Sequence, residues 1–143
     1  MPVMKLLILF GGLSSEHEVS RVSASSIVRN ADKEKYELVT VGITKDGRWL
    51  LYENAGPDKM ASGVWEQEAN VPAMLVPDRA VHGLVVLREG VAETIRIDCC
   101  FPVLHGKHGE DGTIQGLFQL AGIPFVGCDA ISSANCMDKE MTH

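Results

Sequence analysis

The sequence has little that would suit metal, nucleic acid or membrane. Its four cysteines, Cys99, Cys100, Cys128 and Cys136, never fall into Cys-x-x-Cys spacing, and His-Glu-x-x-His is absent. The patterns that most readily preset a zinc site are therefore missing. Small buried thiols in a reduced, cytoplasmic protein are the expectation. Basic residues number 13 against 19 acidic ones, for a formal charge of −6, and apart from a mixed patch at Asp32–Lys35 they are scattered. Non-specific nucleic-acid binding needs a clustered basic face, so no nucleic-acid partner is expected. No stretch approaches the ~20 apolar residues of a membrane span. The apolar run Leu6–Phe10 is too short for a signal peptide and no small-residue cleavage site follows it. Gly11-Gly12 is not continued as Gly-x-Gly-x-x-Gly, and no Gly-Lys-Ser/Thr follows, which argues against NAD and Walker-type ATP loops.

What is present suits one globular domain. At 143 residues and 45% hydrophobic, the chain is long enough to bury a real core. Lys5–Phe10 is a continuous apolar run ending in Gly-Gly, the pattern of a strand buried on both faces of a parallel sheet. A helix follows, with Ser14 or Ser15 as N-cap, Glu16 and Glu18 in its first turn, and a face of Val19, Val22, Ser23, Ala24 and Ile27. Tyr36–Thr44 reads as a strand that turns at Gly47 into the hairpin partner Arg48–Tyr52. Residues 53–80 are irregular, with one short helix near Val64–Glu68. Two strands joined at Glu89-Gly90 come next, then a buried strand in "DCCFPVLHG", a helix Ile114–Ala121 stopped by Gly122, a short strand Phe125–Gly127 and a last helical stretch. This order predicts an α/β fold: an open, mostly parallel sheet with flanking helices and β-hairpin additions.

In such sheets ligands sit beyond the carboxyl ends of the strands. Two loops qualify. In Gly11–Glu16, Glu16 either complements the helix dipole or catches a substrate ammonium. In "LHGKHGEDGTIQG", residues 104–116, His105 directly follows a buried strand and is placed to face a carboxylate or a developing oxyanion. Asp111 or Thr113 caps the next helix and Glu110 can join that cap, while Lys107 and His108 are read as solvated.

"FGGLSSEHEVS", "HGKHGEDGTIQG" and "GIPFVGCDAISSANCMDKE" together resemble the amino-terminal portion of D-alanine–D-alanine ligases, members of the ATP-grasp superfamily. The element His-Gly-x-x-Gly-Glu-Asp-Gly-x-Ile-Gln-Gly matches at every fixed position, and the resemblance covers the chain apart from residues 53–80. The last two stretches are also similar to vancomycin-resistance relatives that make D-alanyl-D-serine or D-alanyl-D-lactate. The resemblance implies a pre-ATP-grasp, Rossmann-like substrate domain over residues 1–138, with 139–143 beginning the connection to ATP-grasp domains. It implies D-alanine as first substrate and D-alanine, D-serine or D-lactate as second. ATP and Mg²⁺ (or Mn²⁺) would be cofactors of the whole enzyme, with no metal held by this chain, and the protein would be a homodimer. Glu16 would hold the ammonium of the first D-alanine, and His105 would line the same pocket. Glu110 would support a network to a lysine of the next domain, and Lys139 would contact ATP phosphates. The family's central serine and tyrosine have no counterpart here, and the chain stops inside a predicted helix. The 143 residues alone are therefore expected to be inactive. The competing reading is a stand-alone α/β module that binds an amino acid without chemistry.

Overall fold

The computed structural model describes residues 3–12, 17–53, 56–68, 71–103 and 113–125, with residues 17–19 and 113–115 described by their backbone alone. The chain forms β1 (Met4–Gly11), α1 (His17–Asn30), β2 (Tyr36–Ile43), β3 (Trp49–Leu51), α2 (Pro57–Ser62), α3 (Trp65–Glu68), β4 (Val71–Leu75), β5 (Gly83–Arg88), β6 (Val91–Arg96), β7 (Cys99–Val103) and α4 (Thr113–Ala121). One seven-stranded sheet runs in the order β6-β5-β4-β3-β2-β1-β7.

The expected open α/β sheet is present, but its strands are not mostly parallel. β1 pairs in parallel with β2 and with β7, and Phe125 adds a parallel bridge to Cys100. The four pairings from β2 out to β6 are antiparallel. For β2–β3, β4–β5 and β5–β6 the reason is local, since their short connections leave no room for the crossover a parallel neighbour needs; β3 and β4 are joined by the excursion that carries α2 and α3. The turns behave as their residues demand. Gly47 takes φ 89°, and the Glu89-Gly90 turn places both residues at positive φ, 51° and 80°, as a two-residue primed hairpin requires.

β1 is the centre of the core. Leu6, Leu7, Ile8, Leu9 and Phe10 are all fully buried. Leu6, Ile8 and Phe10 pack on one face with Ala24 and Val28 of α1, Met60 of α2 and Trp65 of α3. Leu7 and Leu9 pack on the other with Phe118 and Ala121 of α4. Helix α1 buries part of the expected face: Ala24 is fully buried and Ile27 packs against the core, but Ser20, Ser25 and Val28 also face inward, while Val22 is 55% exposed. The small residues at 20 and 24 let the helix lie close to the sheet.

The irregular region holds more structure than expected. Besides α3, it contains α2 and β4, whose Pro72 sits in a ladder with β3 of only two residue pairs. Trp65, fully buried, lies over Gly42 of β2 and meets Phe10 edge-on, with ring centroids 4.8 Å apart.

Candidate functional site

The parallel half of the sheet creates a switch point. From β1 the chain leaves to α1 on one face, and from β7 it leaves toward α4 on the other, while β1 and β7 lie side by side in register from Leu6↔Cys99 to Phe10↔Val103. A crevice opens beyond the carboxyl ends of two such strands because their connections diverge. Both loops singled out above start there. Glu16 and His105 follow the ends of β1 and β7 by five and two residues respectively. Glu16, His105, Glu110 and Lys139 themselves lie outside the described residues, as do the capping candidates Ser14, Ser15 and Asp111 and the boundary at 138. What the structure supplies is the pair of roots on which the loops stand.

Those roots are held by backbone geometry and one side chain. Gly11 and Gly12 have φ 89° and 104°, left-handed values that a side chain would strain. Gly11 closes the ladder opposite Ile43, and the Gly12 amide then donates to the Ile43 carbonyl at 2.8 Å. The Ser20 hydroxyl of α1, fully buried, accepts from the Gly11 amide at 2.7 Å and donates to the Val103 carbonyl. One hydroxyl thus clasps the ends of β1 and β7. The opposite ends are clasped too: the Asp98 carboxylate accepts from the Lys5 amide at 2.8 Å, and the Asp98 amide donates to the Lys5 carbonyl at 2.9 Å. Sequence reading singled out Glu16 and passed over Ser20, four residues on. Its signal was a serine on the buried stripe of a helix.

Among the described residues, no group of three or more His, Cys, Asp or Glu is placed to hold a metal ion, and no helix is long and apolar enough to cross a membrane. Cys99 and Cys100 lie buried in β7. Burial pushes the Cys99 thiol up to about 11 and Cys100 well above its ordinary value. Both are therefore protonated near neutrality and act as small apolar core groups, as the sequence led us to expect for this pair.

A family described as "D-ala D-ala ligase N-terminus" matches residues 5–128. The chain belongs to the D-alanine–D-alanine ligase family, to its amino-terminal part. It is 52% identical over 139 residues to a D-alanine–D-alanine ligase of Caldicellulosiruptor bescii, covering 97% of this chain and 37% of that protein. It is 51% identical over 143 residues to a putative D-alanine–D-lactate ligase of Streptomyces coelicolor, covering all of this chain and 40% of that one. Among solved structures, the VanG D-Ala:D-Ser ligase of Enterococcus faecalis matches with a TM-score of 0.82 and 42% identity, over 99% of this chain and 40% of that one. The chain thus spans about two fifths of the length of these relatives. The fold and the family agree with the reading taken from the loop motifs. The three relatives differ in the second substrate that their names give.

Proposed function

We propose that this chain is the substrate-side domain of an ATP-dependent ligase that joins D-alanine to a second D-amino or D-hydroxy acid, for a peptidoglycan precursor. The observation that carries the reading is the switch point. Two adjacent parallel strands end together, are clasped to each other, and lead into the two loops whose residues match the family. In this reading ATP phosphorylates the carboxylate of the first D-alanine. The second substrate then attacks the acyl phosphate, and phosphate leaves. Glu16 holds the first ammonium, His105 faces the carboxyl or acyl phosphate, and Glu110 braces the pocket. Lys139, as a mobile point charge, reaches ATP phosphates. Among the described residues no group of three or more His, Cys, Asp or Glu would hold the Mg²⁺ that accompanies ATP. The cellular setting is the cytoplasm, where ATP is available, and the working form is a homodimer.

The test uses the full-length ligase that carries this domain, assayed for ATP-dependent phosphate release with D-alanine alone and with D-serine or D-lactate added. D-Alanine-dependent release is expected, and its absence would overturn the reading. Glu16→Gln should weaken the first D-alanine about tenfold or more, since a lost charge-assisted contact costs ~1.5–3 kcal/mol. An unchanged affinity would remove Glu16 from the site. The 143 residues by themselves should release no phosphate. A stand-alone binding module would instead bind D-alanine without ATP turnover in any longer form.

A further inference from the structure

Ser20 is the one described side chain that bonds to both strand ends at the switch point. It reaches Gly11, nine residues before it, and Val103, 83 residues after it. Its position in α1 allows little play, because the residue is fully buried and the helix packs on β1 and β7 through small residues. A serine hydroxyl has one proton to give and lone pairs to receive. Donating to the Val103 carbonyl and accepting from the Gly11 amide uses that capacity in one defined orientation. The Gly11 amide is also the last donor before the Gly11–Gly12 bend, where both φ values are left-handed. Losing the hydroxyl would leave a buried amide and a buried carbonyl without this partner at the point where each loop begins.

We propose that Ser20 is a positioning residue for the D-amino-acid subsite, fixing the separation of the β1 and β7 ends from which the two loops start. This rests on the ligase reading above. It predicts a split that general loss of packing would not give. A misplacement of reacting groups by a fraction of an ångström to an ångström is enough to cost a large factor in rate, whereas ATP, held elsewhere in that reading, should not sense it.

The experiment compares Ser20→Ala, Ser20→Cys and Ser20→Thr with Asp98→Ala in the full-length ligase. Asp98→Ala loosens the same strand pair at its other end, away from the loops. Ser20→Ala should raise KM for the first D-alanine about tenfold, while KM for ATP stays within about twofold, since ATP does not touch this clasp. Ser20→Cys keeps the volume but bonds poorly, so it should show the same split with less loss of Tm. It also answers the question should the alanine variant fail to fold. Ser20→Thr keeps the hydroxyl and should restore most of the D-alanine affinity. Asp98→Ala should lower Tm without moving either KM. If Ser20→Cys leaves KM for D-alanine unchanged, or if Asp98→Ala reproduces the split, the positioning role is overturned. If the wild-type ligase shows no D-alanine dependence, the ligase reading fails instead. Amide exchange at Gly11 in the same proteins keeps the two apart: it should quicken in Ser20→Ala and Ser20→Cys and not in Ser20→Thr or Asp98→Ala, and unchanged exchange in the first two would refute the clasp itself.

Discussion

The two halves of the sheet obey different rules. Around β1 the strands are parallel, covered by helices on both faces, and five consecutive residues are wholly out of water. At the far edge, β6 is an antiparallel strand with Val91 62% exposed and no buried position. The first half holds its strands by burial and so can position loops at their ends. In the second half β4 and β5 still bury Ala73, Leu75, Leu84 and Val86 against Leu7 and Leu9, but the edge hairpin is fixed by turn chemistry and by ion pairs, where Arg88 meets both Glu53 and Glu93. Apolar burial stabilises the first at about 1.5–3 kcal/mol for each fully buried large side chain. Exposed ion pairs give the second a median of about 0–1 kcal/mol each. The likeness to known ligases spans both halves, but every loop assigned a substrate role grows from the buried one.

Truncations at matched residues should break the symmetry most visibly. Leu7→Ala in β1 empties a fully buried site and should cost ~2–5 kcal/mol in chemical denaturation. Leu87→Ala in β5, 36% exposed, should cost well under half as much, since part of that side chain already meets water. Equal losses would mean that the outer hairpin is covered in solution. Gly42→Ala comes next. A methyl built on Gly42 would lie 2.2 Å from the fully buried Trp65 ring, so the ring or the strand must shift. Overpacking of this kind costs ~1–3 kcal/mol, and a Tm unchanged from wild type would show that the α3 packing is looser than drawn. Gly90→Ala is smaller again. Nothing stands within 4 Å of the added methyl, so only the φ of 80° is strained. About 1 kcal/mol is the expected loss, the usual cost of a left-handed backbone for a residue other than glycine.

How much of this was legible in the sequence follows the same division. β1, β7 and α4 announced themselves, because a strand buried on both faces is apolar at every position and a helix ending at a left-handed glycine is locally encoded; Gly122 indeed takes φ 75°. The Glu89-Gly90 turn was equally plain. β4 was not, since Pro72 reads as punctuation and its pairing with β3 lasts only two residues. The parallel character was overestimated because parallel and antiparallel strands look alike when both are apolar. On α1 the pattern finds Ala24 and Ile27 but counts Val22, the more apolar residue, in place of Ser20. In the structure Ser20 is chosen by what it bonds across the sheet, and a contact between residues 20 and 103 leaves no local mark. The family motifs point to Glu16, His105, Glu110 and Lys139, all outside the described residues, whereas the clasp at the roots of the two loops is visible only in the fold.

The smallest expected effect tests the outer half. The Arg88 guanidinium, hydrogen-bonded to Glu53, holds the Glu53 carboxyl below its ordinary value. A carboxyl whose folded pKa is depressed adds stability that is present above its unfolded value and is lost as pH falls through the folded one. Any contribution should therefore be intact at neutral pH and fade below about pH 4, the ordinary carboxylate range. Glu53 and Arg88 are half and one third exposed, so solvent and salt screen the pair and the loss should stay below about 1 kcal/mol. Arg88→Gln should flatten this part of the acid limb, and raising the salt in the wild type should do the same. If instead Arg88→Gln costs as much at pH 7 as Leu7→Ala, the outer hairpin is held by charge far more strongly than exposed pairs allow. The contrast between a core built on burial and an edge hairpin built on turns and charges would then have to be abandoned.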